Sequence, residues 1–252
     1  MTAEHTTAPA HSVAQPPILQ KLWWLQPASA GGALILLGLY AFWSALEGSG
    51  FEYGPYLSPF YSPVLQLAFW PLSPAFLSSA IPLGFRATCY YYRKAYYRAW
   101  FWDPPACAAP DAGSTGLGRG YSGERRFPWV LLNSHRFFFY AATVILAILW
   151  WDTIRAFDFG GRFGVGLGSL LMLANVVLLS LYSLSCHSLR HLVGGGTDCM
   201  SCSRARYRAW RGLSALNPRH GYFAWFSLVS VVGVDAYIRL LGAGVLSDPR
   251  LL

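Results

Sequence analysis

FGVGLGSLLMLANVVLLSLYSLSCHSLRH, residues 163–191, is the stretch whose reading decides the fold. No charge interrupts it between Arg162 and Arg190, and its middle is built from Leu, Val, Met and Ala. A helix needs about 20 mostly apolar residues to cross a bilayer, and this run supplies them. The rest of the chain has the same character: of 252 residues, 54% are hydrophobic, 17% aromatic and only 12% charged, with a mean hydropathy of +0.35. Soluble domains carry about 25% charged residues. A disordered chain, a disulfide scaffold and a water-soluble fold are therefore excluded, and the expected fold is an all-α integral membrane protein.

Working outward, charge-free runs mark four more spans. The first covers Ala28 to Leu46. The second starts within the uncharged stretch 53–85, where Pro71, Pro74 and Pro82 favour a surface or re-entrant entry, and continues to Trp100. The third covers Leu131 to Trp151, and the fifth His220 to Leu241, with Asp235 and Arg239 one turn apart and able to pair. Lys21, the eight basic residues between the second and third spans and the six between the fourth and fifth all fall on one side; only Arg155, Arg162, Arg239 and Arg250 fall on the other. Basic residues mark the cytoplasmic face. The expectation is five transmembrane helices in the inner (plasma) membrane, with the N-terminus cytoplasmic and the C-terminus on the outer side. Residues 1–17 lack an apolar signal-peptide core and read as a disordered cytoplasmic tail. Residues 18–246 read as one five-helix domain and 247–252 as a short C-terminal tail. Inner loops at 100–127 and 192–219 are large enough for a soluble partner to dock. We read no internal repeat, no Gly-rich phosphate cradle and no hydrolase nucleophile elbow.

Apart from His5 and His11, all Cys and His residues fall on the inner side of this arrangement. Cys89 lies toward the inner end of the second span, Cys107 in the loop after it, His135 at the start of the third, Cys186, His187 and His191 at the end of the fourth, and His220 at the start of the fifth. Thiols on the reducing side do not favour disulfides. Cys199 and Cys202 form a lone CxxC without the second pair of a zinc ribbon. His187 and His191, four residues apart, share a helix face and can reach one metal. Cys186 is turned about 100° from His187 on the same wheel. His135 and His220 read equally well as interfacial hydrogen-bonding residues, and the Tyr-rich text around Cys89 as an aromatic belt with snorkelling bases.

RATCYYYRKAYYRAWFWDPPACA (86–108), NSHRFFFY (133–140), SCHSLRH (185–191) and NPRH (217–220) together resemble the single-chain, five-helix membrane anchor, the cytochrome b-type or SdhC subunit, of a bacterial succinate dehydrogenase, respiratory complex II. The resemblance covers residues 18–241. It implies a flavoprotein partner that oxidises succinate, an iron–sulfur partner docked on the inner face, and electron transfer to quinone. The first and second spans contain no His, which excludes the two bis-His haems of better-known anchors. The sequence is similar instead to a branch thought to carry a Rieske-type [2Fe–2S] cluster, held by two thiolates and two imidazoles.

On that reading Cys89 and Cys107 hold one iron and His187 and His191 the other. Cys186 substitutes for Cys107, and His135 and His220 for the imidazoles. Quinone, bound between this chain and the iron–sulfur partner, would be lined by Trp23, Trp24, Gln26, Arg86 and His220. The rival readings are a haem b subunit of another respiratory dehydrogenase, holding one bis-His haem, and a membrane anchor or transporter without a redox centre.

Overall fold

The computed structural model describes residues 22, 24–67, 69–96, 99–100, 127, 129–196, 199 and 202–252. The tail at 1–17, Trp23 and Cys107 lie outside them.

Helix α1 covers Leu25–Glu47 and stops at Gly48, whose φ of 65° closes it in the left-handed conformation that glycine adopts without strain. A two-residue hairpin follows, β1 (Glu52–Tyr53) antiparallel to β2 (Tyr56–Leu57). Helix α2 (Pro74–Thr88) opens on Pro74 at its first turn, with the Ser73 hydroxyl accepting from the Ala75 N–H. It breaks at Cys89, and α3 (Tyr90–Tyr96) resumes the path. A 3₁₀ turn (Trp129–Ser134) leads into α4 (His135–Arg155). Helix α5 (Leu167–Leu184) is followed, after a second break, by α6 (His187–Gly194). Surface helix α7 (Arg204–Leu216) connects through a 3₁₀ turn (Asn217–Arg219) to α8 (His220–Gly242).

Among the described residues, four helical stretches are long and apolar enough to cross a membrane: Leu25–Glu47, Val130–Arg155, Leu167–Leu184 and Arg204–Gly242. The expected second span is α2 plus α3, whose interruption at Cys89 leaves neither piece long enough by itself. The fourth span is shorter than the apolar run, because the helix ends at Leu184 rather than continuing to His191. Leu36, Leu39, Leu83, Phe137, Val144, Phe226 and Val229 point outward and exposed, as lipid-facing side chains must.

Helix α5 packs along α8, α2 along α4, α4 along α5, and α1 against α3 and α8. The end of the bundle that holds Glu47 is closed by polar ties. Asp248 accepts from the Gly168 N–H at the start of α5 (3.0 Å), from Tyr56 Oη (2.6 Å) and from Tyr237 Oη (2.7 Å). Residues 247–252 are therefore bound rather than loose, and Val165 N–H donates to Leu252 O. The expected Asp235–Arg239 pair forms at 2.9 Å. At the opposite end a separate core gathers Phe85, Cys89, Tyr92, Phe139, Tyr182, Cys186 and Ala224.

Candidate metal centre

Among the described residues, the two buried cysteines each sit where a helix is interrupted. Cys89 caps the C-terminus of α2 with φ −63° and ψ 128°; Cys186 caps the N-terminus of α6 with φ −65° and ψ 136°. Leaving the helical path swings each thiol into the bundle, where Cys89 is 3% and Cys186 2% exposed. Both partner histidines stand at the first position of a helix entered from a 3₁₀ turn, His135 on α4 and His220 on α8. His220 Nε2 lies 3.4 Å from Cys89 Sγ, and His135 Nε2 lies 3.3 Å from Cys186 Sγ.

The other ring nitrogens fix the orientation. His135 Nδ1 is 3.0 Å from Thr88 Oγ1, and His220 Nδ1 is 2.8 Å from Ser185 Oγ. Thr88 Oγ1 donates its own hydrogen to Gly84 O (2.7 Å), and Ser185 Oγ donates to Tyr182 O (3.0 Å). With those hydrogens on the carbonyls, each hydroxyl oxygen is free to accept from Nδ1–H, the tautomer that leaves Nε2 of both rings with a lone pair toward the thiols. Holding the remote nitrogen of a ligating imidazole in this way is how proteins prepare one for a metal. Phe85 stacks on His135 (4.8 Å, 9°) and Tyr182 on His220 (4.9 Å, 18°), which shields the rings from water.

These contacts are exchanged between two matching segments. Phe85-x-x-Thr88-Cys89 and Tyr182-x-x-Ser185-Cys186 each supply an aromatic ring, a hydroxyl and a thiol. The aromatic ring and hydroxyl of one segment hold the histidine whose Nε2 faces the other segment's thiol. This local repeat is written in the sequence as aromatic-x-x-Ser/Thr-Cys, twice, although the sequence reading found no internal repeat.

Close packing depends on two glycines. A Cβ on Gly84 would run into the Phe138 ring, and one on Gly221, next to His220, would approach the Tyr91 ring to 2.6 Å. The donors fall in two pairs, and among the described residues no three His, Cys, Asp or Glu side chains gather at one metal-sized point. Tyr182, 1% exposed, turns its hydroxyl toward the Cys89 thiol without a hydrogen bond of normal geometry. Burial pushes the Cys186 thiol up. Arg86 reaches into the same core, donating to Tyr92 Oη (2.5 Å), Ala224 O (3.2 Å) and Ser227 Oγ (3.0 Å).

The structure separates the other expected ligands from this cluster. His187 and His191 do share a face, with ring centroids 4.5 Å apart, but both are exposed on α6. The cause is the break between Leu184 and His187: Cys186 turns inward while the next helix carries both rings away. Burial, then the charges of His191 and Arg190, lowers the His187 pKa. Trp24 and Gln26 are exposed at the start of α1, whereas Arg86 and His220 are half-buried. Cys199 and Cys202 are joined in a disulfide, contrary to the expectation of reduced thiols.

A search among curated proteins finds no match. Among solved structures, a chain of the Mycobacterium smegmatis Sdh1 complex in the apo form is similar, with 38% identity and a TM-score of 0.81 over 100% of this chain and 98% of that one. The family model for the actinobacterial succinate dehydrogenase subunit SdhC matches residues 25–244. A match of that extent, joined to an apolar helical bundle, means that the chain belongs to the SdhC family of succinate dehydrogenase membrane subunits.

Proposed function

We propose that Cys89, Cys186, His135 and His220 hold a Rieske-type [2Fe–2S] cluster, through which this anchor relays electrons from the iron–sulfur subunit of succinate dehydrogenase to quinone. The observation that carries this reading is the convergence of two thiols and two imidazoles from four chain segments, with both Nε2 lone pairs turned inward. Two sulfur and two imidazole ligands are the donor set of such a cluster, and the unbonded Tyr182 hydroxyl beside Cys89 is a polar group awaiting a partner. When bound, the cluster supplies one-electron transfer at a higher potential than an all-thiolate centre, in a range suited to quinone.

The chain's own residues do the rest. Thr88 and Ser185 keep both imidazoles in the ligating tautomer, and Phe85 and Tyr182 exclude water from their faces. Both thiols must give up their protons on loading, which for Cys186 acts against the effect of burial. A bis-His haem fits less well, because each Nε2 meets a sulfur rather than an open slot facing the other imidazole.

In this reading α2–α3 forms the fifth crossing and the thiol end faces the cytoplasm. Arg86, Arg93, Lys94, Arg136, Arg190 and the arginines of α7 cluster at that end, as cytoplasmic loops require. The flavoprotein and iron–sulfur subunits dock there, and quinone binds near Trp24 and Gln26. Iron, labile sulfide and low-temperature EPR on the purified, dithionite-reduced complex test the proposal. A mixed His/Cys [2Fe–2S] signal assigned to this chain is expected, and its absence with only the partner's clusters present overturns it.

A further inference from the structure

Among the described residues, Arg86 is a cation without an anion. It lies in the last turn of α2 and spends its donors on Tyr92 Oη, Ala224 O and Ser227 Oγ, all neutral. Its guanidinium also sits 4.9 Å from the Tyr182 ring centroid and 5.6 Å from that of Tyr92.

No carboxylate is within reach among the described residues. Glu47, Glu52, Asp152, Asp158, Asp235 and Asp248 all belong to the other end of the bundle, and the ion pairs there involve Arg239. A partly buried positive charge beside lipid is costly unless something negative faces it. The groups that share its core are Cys89 and Cys186, and Tyr182, under the guanidinium, stacks on His220.

We propose that Arg86 is the counter-charge of the centre, a positioning residue that favours its reduced form and so sets its potential. The inference rests on the cluster reading above. Two ferric irons with two sulfides, two thiolates and two neutral imidazoles carry no net charge; one electron makes the assembly negative. That electron comes from the partner's iron–sulfur chain, which is oxidised, and passes to quinone, which is reduced; no bond within the protein forms or breaks. A fixed cation beside the site stabilises only the charged member of the pair.

The test is an EPR redox titration of the intact complex with Arg86→Gln, Arg86→Lys and Ser227→Asp, the last placing a carboxylate against Arg86 without removing it. Arg86→Gln and Ser227→Asp are expected to lower the reduced-to-oxidised ratio at a given potential about tenfold, or about 59 mV for a one-electron couple, while Arg86→Lys keeps most of the wild-type value. An unshifted potential with a raised KM for quinone overturns the proposal in favour of a quinone contact. An unshifted potential with no other change overturns it too. If Arg86→Gln fails to assemble, Ser227→Asp decides alone. Absence of the signal in the unmutated complex is a failure of the cluster reading, distinct from a signal whose potential ignores Arg86.

Discussion

Replacing Asp235 by Ala is expected to cost this protein about 3–5 kcal/mol of stability, the range for removing one member of a buried ion pair. Asp235 is 0% exposed. Its Oδ2 accepts from Tyr40 Oη (2.7 Å), Ser44 Oγ (3.0 Å) and Arg239 Nε (2.9 Å), and its Oδ1 from Ser58 Oγ (2.5 Å). The substitution leaves Arg239, whose side chain is 9% exposed, with only Glu47, itself 39% exposed, as a charge partner. Three hydroxyls lose an acceptor as well, so the lower bound is set by the charge and the hydroxyls add to it. At about 2–4 °C per kcal/mol for a chain of this size, the midpoint falls by about 6–20 °C. Thermal unfolding of the detergent-solubilised complex, followed by tryptophan fluorescence, measures it. Asp235→Ala with Arg239→Leu should recover much of the loss, because an apolar pair replaces a stranded cation. A loss below about 1 kcal/mol for Asp235→Ala, the value of an exposed pair, would refute the reasoning and mean that water reaches the network.

Other outcomes follow from the site. His135→Ala or His220→Ala should each abolish the mixed-ligand EPR signal and quinone reduction while succinate oxidation by a soluble dye continues; His187→Ala and His191→Ala should leave the signal intact. Thr88→Val and Ser185→Ala free an imidazole without removing it, and should cost about 10–100-fold in metal retention, read as iron released to a chelator. Burial acts to raise the Asp248 pKa, but hydrogen bonds from Tyr56, Gly168 and Tyr237 and the charge of Arg250 outweigh it and hold the carboxyl below its usual value. A depressed carboxylate stabilises fully above its unfolded pKa of about 3.9 and loses that contribution as pH falls through the folded value. Acid unfolding below about pH 4 should therefore be shallower in Asp248→Asn than in the native chain.

The bundle was legible because apolar length and charge placement are one-dimensional signals. Residues 220–241 were expected as a helix and α8 covers Leu241 to within a residue; Asp235 and Arg239 were expected to pair and do. The donor set proposed from the structure was not legible in the same way. Helical periodicity placed His187 and His191 together correctly, yet it also carried Cys186 along the same wheel. Only the extended backbone at Cys186 separates them, and nothing in the hydropathy of SLSCHSL announces that break. Likewise the second span was read as continuing past Cys89, where the chain leaves the helix for a single residue. Composition reports where a helix can lie, whereas an interruption of one residue depends on tertiary contacts such as those of Thr88 and Tyr92.

The exchanged pairing of segments 85–89 and 182–186 with His135 and His220 bears on biogenesis. Cys186 meets a ring already made, His135, but Cys89 waits for His220, which comes later in translation and heads the final helix of the bundle. If the proposed cluster forms, its four protein ligands are complete only once that helix has been released by the ribosome and set beside α5. On the proposed cluster reading, maturation of the centre would follow completed insertion, and a chain truncated before residue 220 would offer an incomplete set of ligands.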